Sequence, residues 1–125
     1  MNSLSIKHVI LALGISLFQV PAVFAVDPPY QADMERLATI MGALYHLDDL
    51  CMQSGTNWRD QFAELMDLEE VDEDRRERLT ASFNNGYYDF SRLHVRCTFN
   101  AQTMMKRFIE EGAEISKNIH TRFAE

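Results

Sequence analysis

The chain runs to 125 residues, 46% of them hydrophobic and 25% charged, with 19 Asp and Glu against 12 Lys and Arg for a net charge of −7. That length and apolar content suit one globular domain rather than two. The acidic balance argues against nucleic acid or an anionic membrane surface as a partner, because both reward the opposite sign.

Residues 1–25 read as a secretory signal peptide. Lys7 and His8 supply a positive n-region, Val9 to Phe18 an apolar h-region, and Val23-Phe24-Ala25 a small-residue cleavage site after Pro21. The apolar run is interrupted by Gln19 and Pro21, too soon for the roughly 20 residues of a membrane span. Residues 26–125 are then a single helical domain with 19 carboxylates against 11 Lys and Arg, a net charge of −8. The expected product is an exported periplasmic protein, soluble after signal cleavage and with no membrane insertion.

Four helical patterns follow the Pro28-Pro29 stop, with no strand-like alternation and no repeat. In the first, Met34, Leu37, Met41, Leu44, Leu47 (or Asp48) and Cys51 recur at steps of three and four, and Ser54-Gly55-Thr56 ends it. Asn57 is suited to cap a short second helix carrying Trp58, Phe62, Leu65 and Met66 on one face and running out near Glu70. Asp72 then caps a third, in which Leu79, Phe83, Tyr87, Phe90, His94 and Cys97 keep the spacing and Thr98 to Asn100 form the last turn. Asn84-Asn85-Gly86 would be a turn in isolation. The apolar period crosses it in phase, which keeps the helix whole, with Gly86 making room for a neighbour's ring. The fourth helix places Ala101, Met105, Phe108, Gly112, Ile115 and Ile119 on a seam.

Cys51 and Cys97 are the only cysteines, and an even count in an exported chain reads as a disulfide. Joining the C-terminal ends of the first and third helices requires those helices to run parallel. The short second helix must bring the chain back between them, so the fold class expected is an all-α, up-down-up-down four-helix bundle with one disulfide. A second helix of about 20 Å, against more than 30 Å for its neighbours, leaves one flank thinly covered, where a groove could open.

Leu50-Cys51, Trp58-Arg59-Asp60-Gln61, Phe83-Asn84 with Gly86-Tyr87, Cys97-Thr98 and Glu110-Glu111-Gly112 resemble the landmarks of a family of small exported alphaproteobacterial proteins catalogued only as a domain of unknown function. The resemblance spans nearly the whole chain after the signal. It implies an envelope protein with Cys51 and Cys97 paired, and it brings no substrate, cofactor or catalytic residue. That family usually has a basic residue at the place of Asn85 and a proline at the place of Phe99.

Sites for chemistry are harder to find. His46, Cys51, His94 and Cys97 can be drawn as a Cys2His2 zinc site, but His46 and Cys51 stand about 140° apart on an ideal helix, and the disulfide is the simpler reading. Met34 and His120 would be neighbours in the bundle, as in a Met/His haem site, though position alone supports it. The methionines, Met34, Met104 and Met105 among them, serve more simply as core filling than as copper ligands. The acidic run Glu69 to Asp74 lacks the alternation and glycine of a calcium loop and matches the dipole of the third helix. No catalytic signature appears, and no cofactor is implied. The most specific cluster is Trp58-Arg59-Asp60-Gln61, with Asn84, Asn85 and Tyr87 facing it from the third helix, a composition favoured at protein contacts. Its simpler alternative has Trp58 plugging the core beside surface charges. The function expected is non-enzymatic: protein contacts with an envelope partner, in cell-envelope assembly or maintenance. A small metal or haem carrier and an envelope hydrolase are the alternatives.

Overall fold

The computed structural model describes residues 25–124, so the signal-like segment 1–25, except for Ala25, lies outside the described residues. Four helices follow in order: α1 (Gln31–Cys51), α2 (Trp58–Leu68), α3 (Glu73–Leu93) and α4 (Phe99–Phe123). Among the described residues there is no strand. Three of the helices start on side-chain caps. Asn57 accepts from the Asp60 amide, Asp72 from the Arg75 amide and Thr98 from the Ala101 amide, each satisfying a donor the helix itself cannot. Both α1 and α2 are followed by a residue with left-handed backbone, Gln53 (φ 48°) and Glu70 (φ 47°), in the position where glycine is the usual choice.

The disulfide joins Cys51 to Cys97 with their Cα atoms 5.0 Å apart. As expected, α1 and α3 run parallel: Gln31 meets Arg75 at one end, and His46 reaches the His94 carbonyl at the other. α4 returns antiparallel to α1, with Arg36 bonded to Glu111 and Tyr30 packed on Phe123. The chain is therefore an up-down-up-down bundle. Its centre is α1, against which α3, then α4, then α2 pack. Met34, Ala38, Ile40, Ala43, Leu44 and Leu47 of α1 are all buried, and they point to different neighbours.

Two boundaries differ from the sequence reading. α3 ends at Leu93, so His94 to Thr98 form a link, Cys97 stands off the helix, and Thr98 opens α4 instead of closing α3. Phe99 is thus the first residue of α4, the place where a proline is best tolerated in a helix. Gly86 also has a different role. A Cβ there would sit 2.0 Å from the Thr39 carbonyl oxygen, and one on Gly42 would sit 1.9 Å from the Phe83 carbonyl oxygen. The two glycines let backbone meet backbone, with no ring between them. Gly112 does not share this role, because a Cβ there would meet only Ile40 and Leu37 side-chain atoms at 3.5 and 3.6 Å.

Candidate functional site: the groove between the second and fourth helices

The eleven residues of α2 span about 16 Å, whereas the 25 of α4 span about 37 Å. α2 begins abruptly because Asn57 is fixed on both sides: its Oδ1 accepts from the Asp60 amide at 3.2 Å, and its Nδ2 donates to the Asp60 carboxylate at 2.6 Å. The loop before it is held by the buried Asp48, whose carboxylate accepts from the Ser54 hydroxyl at 2.6 Å and from the Ser54 amide at 3.3 Å. A helix so short, placed beside a long one on the shared support of α1, leaves an open seam.

That seam is a groove of about 520 Å³. Leu37, Ile40, Met41 and Leu44 of α1 form its floor, Trp58, Gln61, Glu64, Leu65 and Leu68 of α2 one wall, and Phe108, Ile109, Gly112, Ala113 and Ser116 of α4 the other. Carbon dominates this lining, with Gln61, Glu64 and Ser116 as its polar side chains. Trp58 is half-buried and packs against both halves of the core, and its indole N–H is buried without a hydrogen-bond partner. A buried donor left so costs about 1–3 kcal/mol.

The residues singled out from sequence do not share one surface. Trp58 and Gln61 line the groove, while Arg59, Asn84 and Tyr87 line a second recess of about 450 Å³ on the other side of α2, over Phe62 and Phe83. Asp60 belongs to the cap, and Asn85 is exposed and borders neither recess. Leu68, Ile109 and Ala113 are groove residues that no sequence expectation singled out, and Leu65, expected on the core face of α2, also lines the groove. The spacing of Trp58, Gln61, Leu65 and Leu68 along one helical face was the available signal.

The titratable groups have ordinary structural partners. Arg36 bonds both oxygens of Glu111, at 2.6 and 2.9 Å, and holds that carboxyl below the usual carboxylate range. Arg78 does the same for Asp27, which it grips at 2.7 and 2.6 Å, and it also pairs with Glu35 and Asp74. Tyr30 is pushed up by burial and by its hydrogen bond to Glu69. In the acidic run, Asp72 caps α3, Glu73 and Asp74 fill its first turn, and Glu69 accepts from Tyr30. Both cysteine sulfurs are committed to the disulfide, and His46 Nε2–H donates to the His94 carbonyl at 2.6 Å. Among the described residues no group of three or more His, Cys, Asp and Glu is placed to hold a metal ion. Met34 and His120 do border one recess, of about 260 Å³, but Met34 is core and only His120 is exposed.

Fold and groove together define a disulfide-pinned all-α bundle built on one central helix, with an apolar recess where the shortest helix faces the longest. The chain belongs to the family described as protein of unknown function (DUF2385), whose sequence model matches residues 29–123, from the turn before α1 to the end of α4. No curated protein and no solved structure matches it.

Proposed function

We propose that this is a non-enzymatic protein of the periplasm that works through protein contacts in building or maintaining the cell envelope. The observation that carries the reading is the groove: an apolar channel floored by α1, lined by an indole and aliphatic side chains and open to solvent, is the form in which a bundle receives an apolar segment of another protein. Exposed apolar rim residues, Leu68 (75%) and Ile109 (43%), support it, since contiguous exposed apolar surface usually marks a contact. The signal-like segment and the Cys51–Cys97 disulfide suit an oxidising compartment. No described helix is long and apolar enough to cross a membrane.

The test is photo-crosslinking in cells from Leu65 and Leu68, with Glu77, an exposed α3 residue that borders neither the groove nor the second recess, as the control position. A discrete envelope partner captured from the two groove positions and not from Glu77 is the expected result. Purified protein that arrives loaded with haem or metal, or that cleaves peptidoglycan, would replace this reading with the carrier or the hydrolase.

A further inference from the structure

A second surface, remote from the groove's aliphatic rim, collects at the disulfide end of the bundle. Met52 follows α1, Leu93 closes α3, Val95 lies in the link, and Phe99 opens α4; they are 58%, 73%, 74% and 81% exposed. Four large apolar side chains on one end cap are more than scattered surface exposure accounts for. The segment that bears them is firmly tied: Cys97 to Cys51, the His94 carbonyl to His46, the His94 ring stacked on Phe90, and Thr98 capping α4. Display of an apolar tip on a braced link requires no ordering when it binds.

The charge of the chain is also polarised along the bundle. Residues 42–62 and 84–109, on the disulfide side of the Gly42–Gly86 contact and of the Arg36–Glu111 pair, hold Arg59, Arg92, Arg96, Lys106 and Arg107 against Asp48, Asp49, Asp60 and Asp89, a net +1, and the rest of residues 26–125 carries −9. Of those four acids, Asp48 is buried against Ser54 and Asp89 is paired with Arg92. Arg96, between Val95 and Cys97, forms no ion pair with any described residue.

We infer that the Met52, Leu93, Val95 and Phe99 tip docks the bundle end-on at a lipid bilayer surface, with Arg96 among the headgroups and the acidic end held away. The overall negative charge that argues against anionic membranes is a property of the other end. A second copy is the weaker fit. Four helices at 8–10 Å spacing present an end of about 400 Å², so two tips would bury about 800 Å², short of the roughly 1,200 Å² of a stable interface. A bilayer sets no such limit, since each apolar side chain partitions on its own and long cationic side chains reach the headgroups beside it. This proposal uses a different surface from the groove and stands or falls separately.

Residues 26–125, which contain all four helices and the disulfide, are prepared oxidised and sedimented with vesicles of phosphatidylethanolamine containing a minority of phosphatidylglycerol. Binding is expected, weakened about tenfold or more by Phe99→Ser and by Leu93→Ser, reduced by Arg96→Glu, and unchanged by Leu68→Ser at the far end of α2. Circular dichroism checks that each exposed substitution leaves the fold intact. Absence of sedimentation overturns the proposal. So does binding that Leu68→Ser weakens as much as Phe99→Ser, or self-association lost in Phe99→Ser with no vesicle binding, which would assign the tip to a second copy.

Discussion

Replacing Gly86 by alanine should unseat the largest helix contact in the bundle. The added Cβ would stand 2.0 Å from the Thr39 carbonyl oxygen and 2.8 Å from its carbon, both backbone atoms of α1 that no rotamer change can move. Restoring an ordinary contact of about 3.4 Å means parting α1 and α3 by more than 1 Å, and a gap of 0.5–1 Å already forfeits a quarter to a half of the dispersion energy across it. Overpacking of this kind costs about 1–3 kcal/mol, and occasionally more; alanine's helical preference returns about 1 kcal/mol. With rigid backbone as the obstacle, the gross cost lies at or just above the top of that range, about 3–4 kcal/mol, so the expected net loss is about 2–3 kcal/mol, a fall in melting temperature of roughly 10–20 °C for a domain of this size. Gly42→Ala should behave alike, since its Cβ meets the Phe83 carbonyl oxygen at 1.9 Å. The double variant should lose less than the sum, because the second methyl enters a seam already opened. Gly112→Ala is the internal control: with only side-chain atoms at 3.5 Å or more, it should be neutral or stabilising by up to about 1 kcal/mol. Thermal and guanidinium unfolding followed by circular dichroism measure all four. A Gly86→Ala variant as stable as the parent, or one indistinguishable from Gly112→Ala, would refute the backbone-contact argument.

The disulfide closes a loop with a sequence separation of 46, so the Cys51→Ser, Cys97→Ser double variant should lose about 4 kcal/mol and melt roughly 15–30 °C lower; two titratable thiols in the natively oxidised protein would contradict the pairing. Trp58→Ala should cost about 3 kcal/mol, the low end for a large aromatic, because the indole is half-buried; its fluorescence should be blue-shifted yet partly quenched by acrylamide, and emission like that of tryptophan in water would contradict its packing. Asp27 and Glu111 titrate below their usual range in the fold, so the stability they contribute is complete above about pH 4 and is lost as pH falls through their folded values. Both carboxylates are more than a third exposed, so urea midpoints, which leave ion pairs unscreened, should fall only modestly on the acid side from these two groups, and Arg36→Ala should flatten that fall by removing the partner of Glu111.

What the sequence made legible was local chemistry with a single outcome. Asn57 and Asp72 announced helix starts, the apolar period carried α3 through Asn84-Asn85-Gly86, and two cysteines forced the parallel course of α1 and α3. The end of α3 was obscured because His94 and Cys97 continue its period while Thr98, three residues before Ala101, offers a competing cap; the structure follows the cap. Gly42 carried no signal, since a glycine inside an apolar helix reads like a small core residue until its opposite number on another helix is known. The candidate patch was divided by helix geometry alone. Consecutive residues stand 100° apart, so Trp58 and Gln61 look toward α4 and Arg59 toward α3. The shortness of α2 was visible, but the side on which it opens depends on α1 being the hub, a property of the packing and not of any one segment.

That hub explains why the groove lies where it does. α1 is buried almost all round, and the other helices occupy separate sectors about it. The α1–α3 sector is closed by backbone contact at Gly42 and Gly86 and by Arg75 on Gln31 and Arg78 on Glu35 at its end. α1 and α4 are tied by Arg36 on Glu111, and α2 is held to α3 by the stacked rings of Phe62 and Phe83 and by Arg76 on Asp67. Between α2 and α4 the described residues make no hydrogen bond, ion pair or ring–ring contact, whereas α3 and α4 at least meet ring to ring at Phe90 and Phe108. The seam with the fewest ties is thus the one lined by Trp58, Leu65 and Ile109, and local opening is drawn from such low-stability seams. Widening it moves one short helix and disturbs neither the glycine contact nor the disulfide, so the bundle can admit an apolar guest there while the rest of its core stays packed.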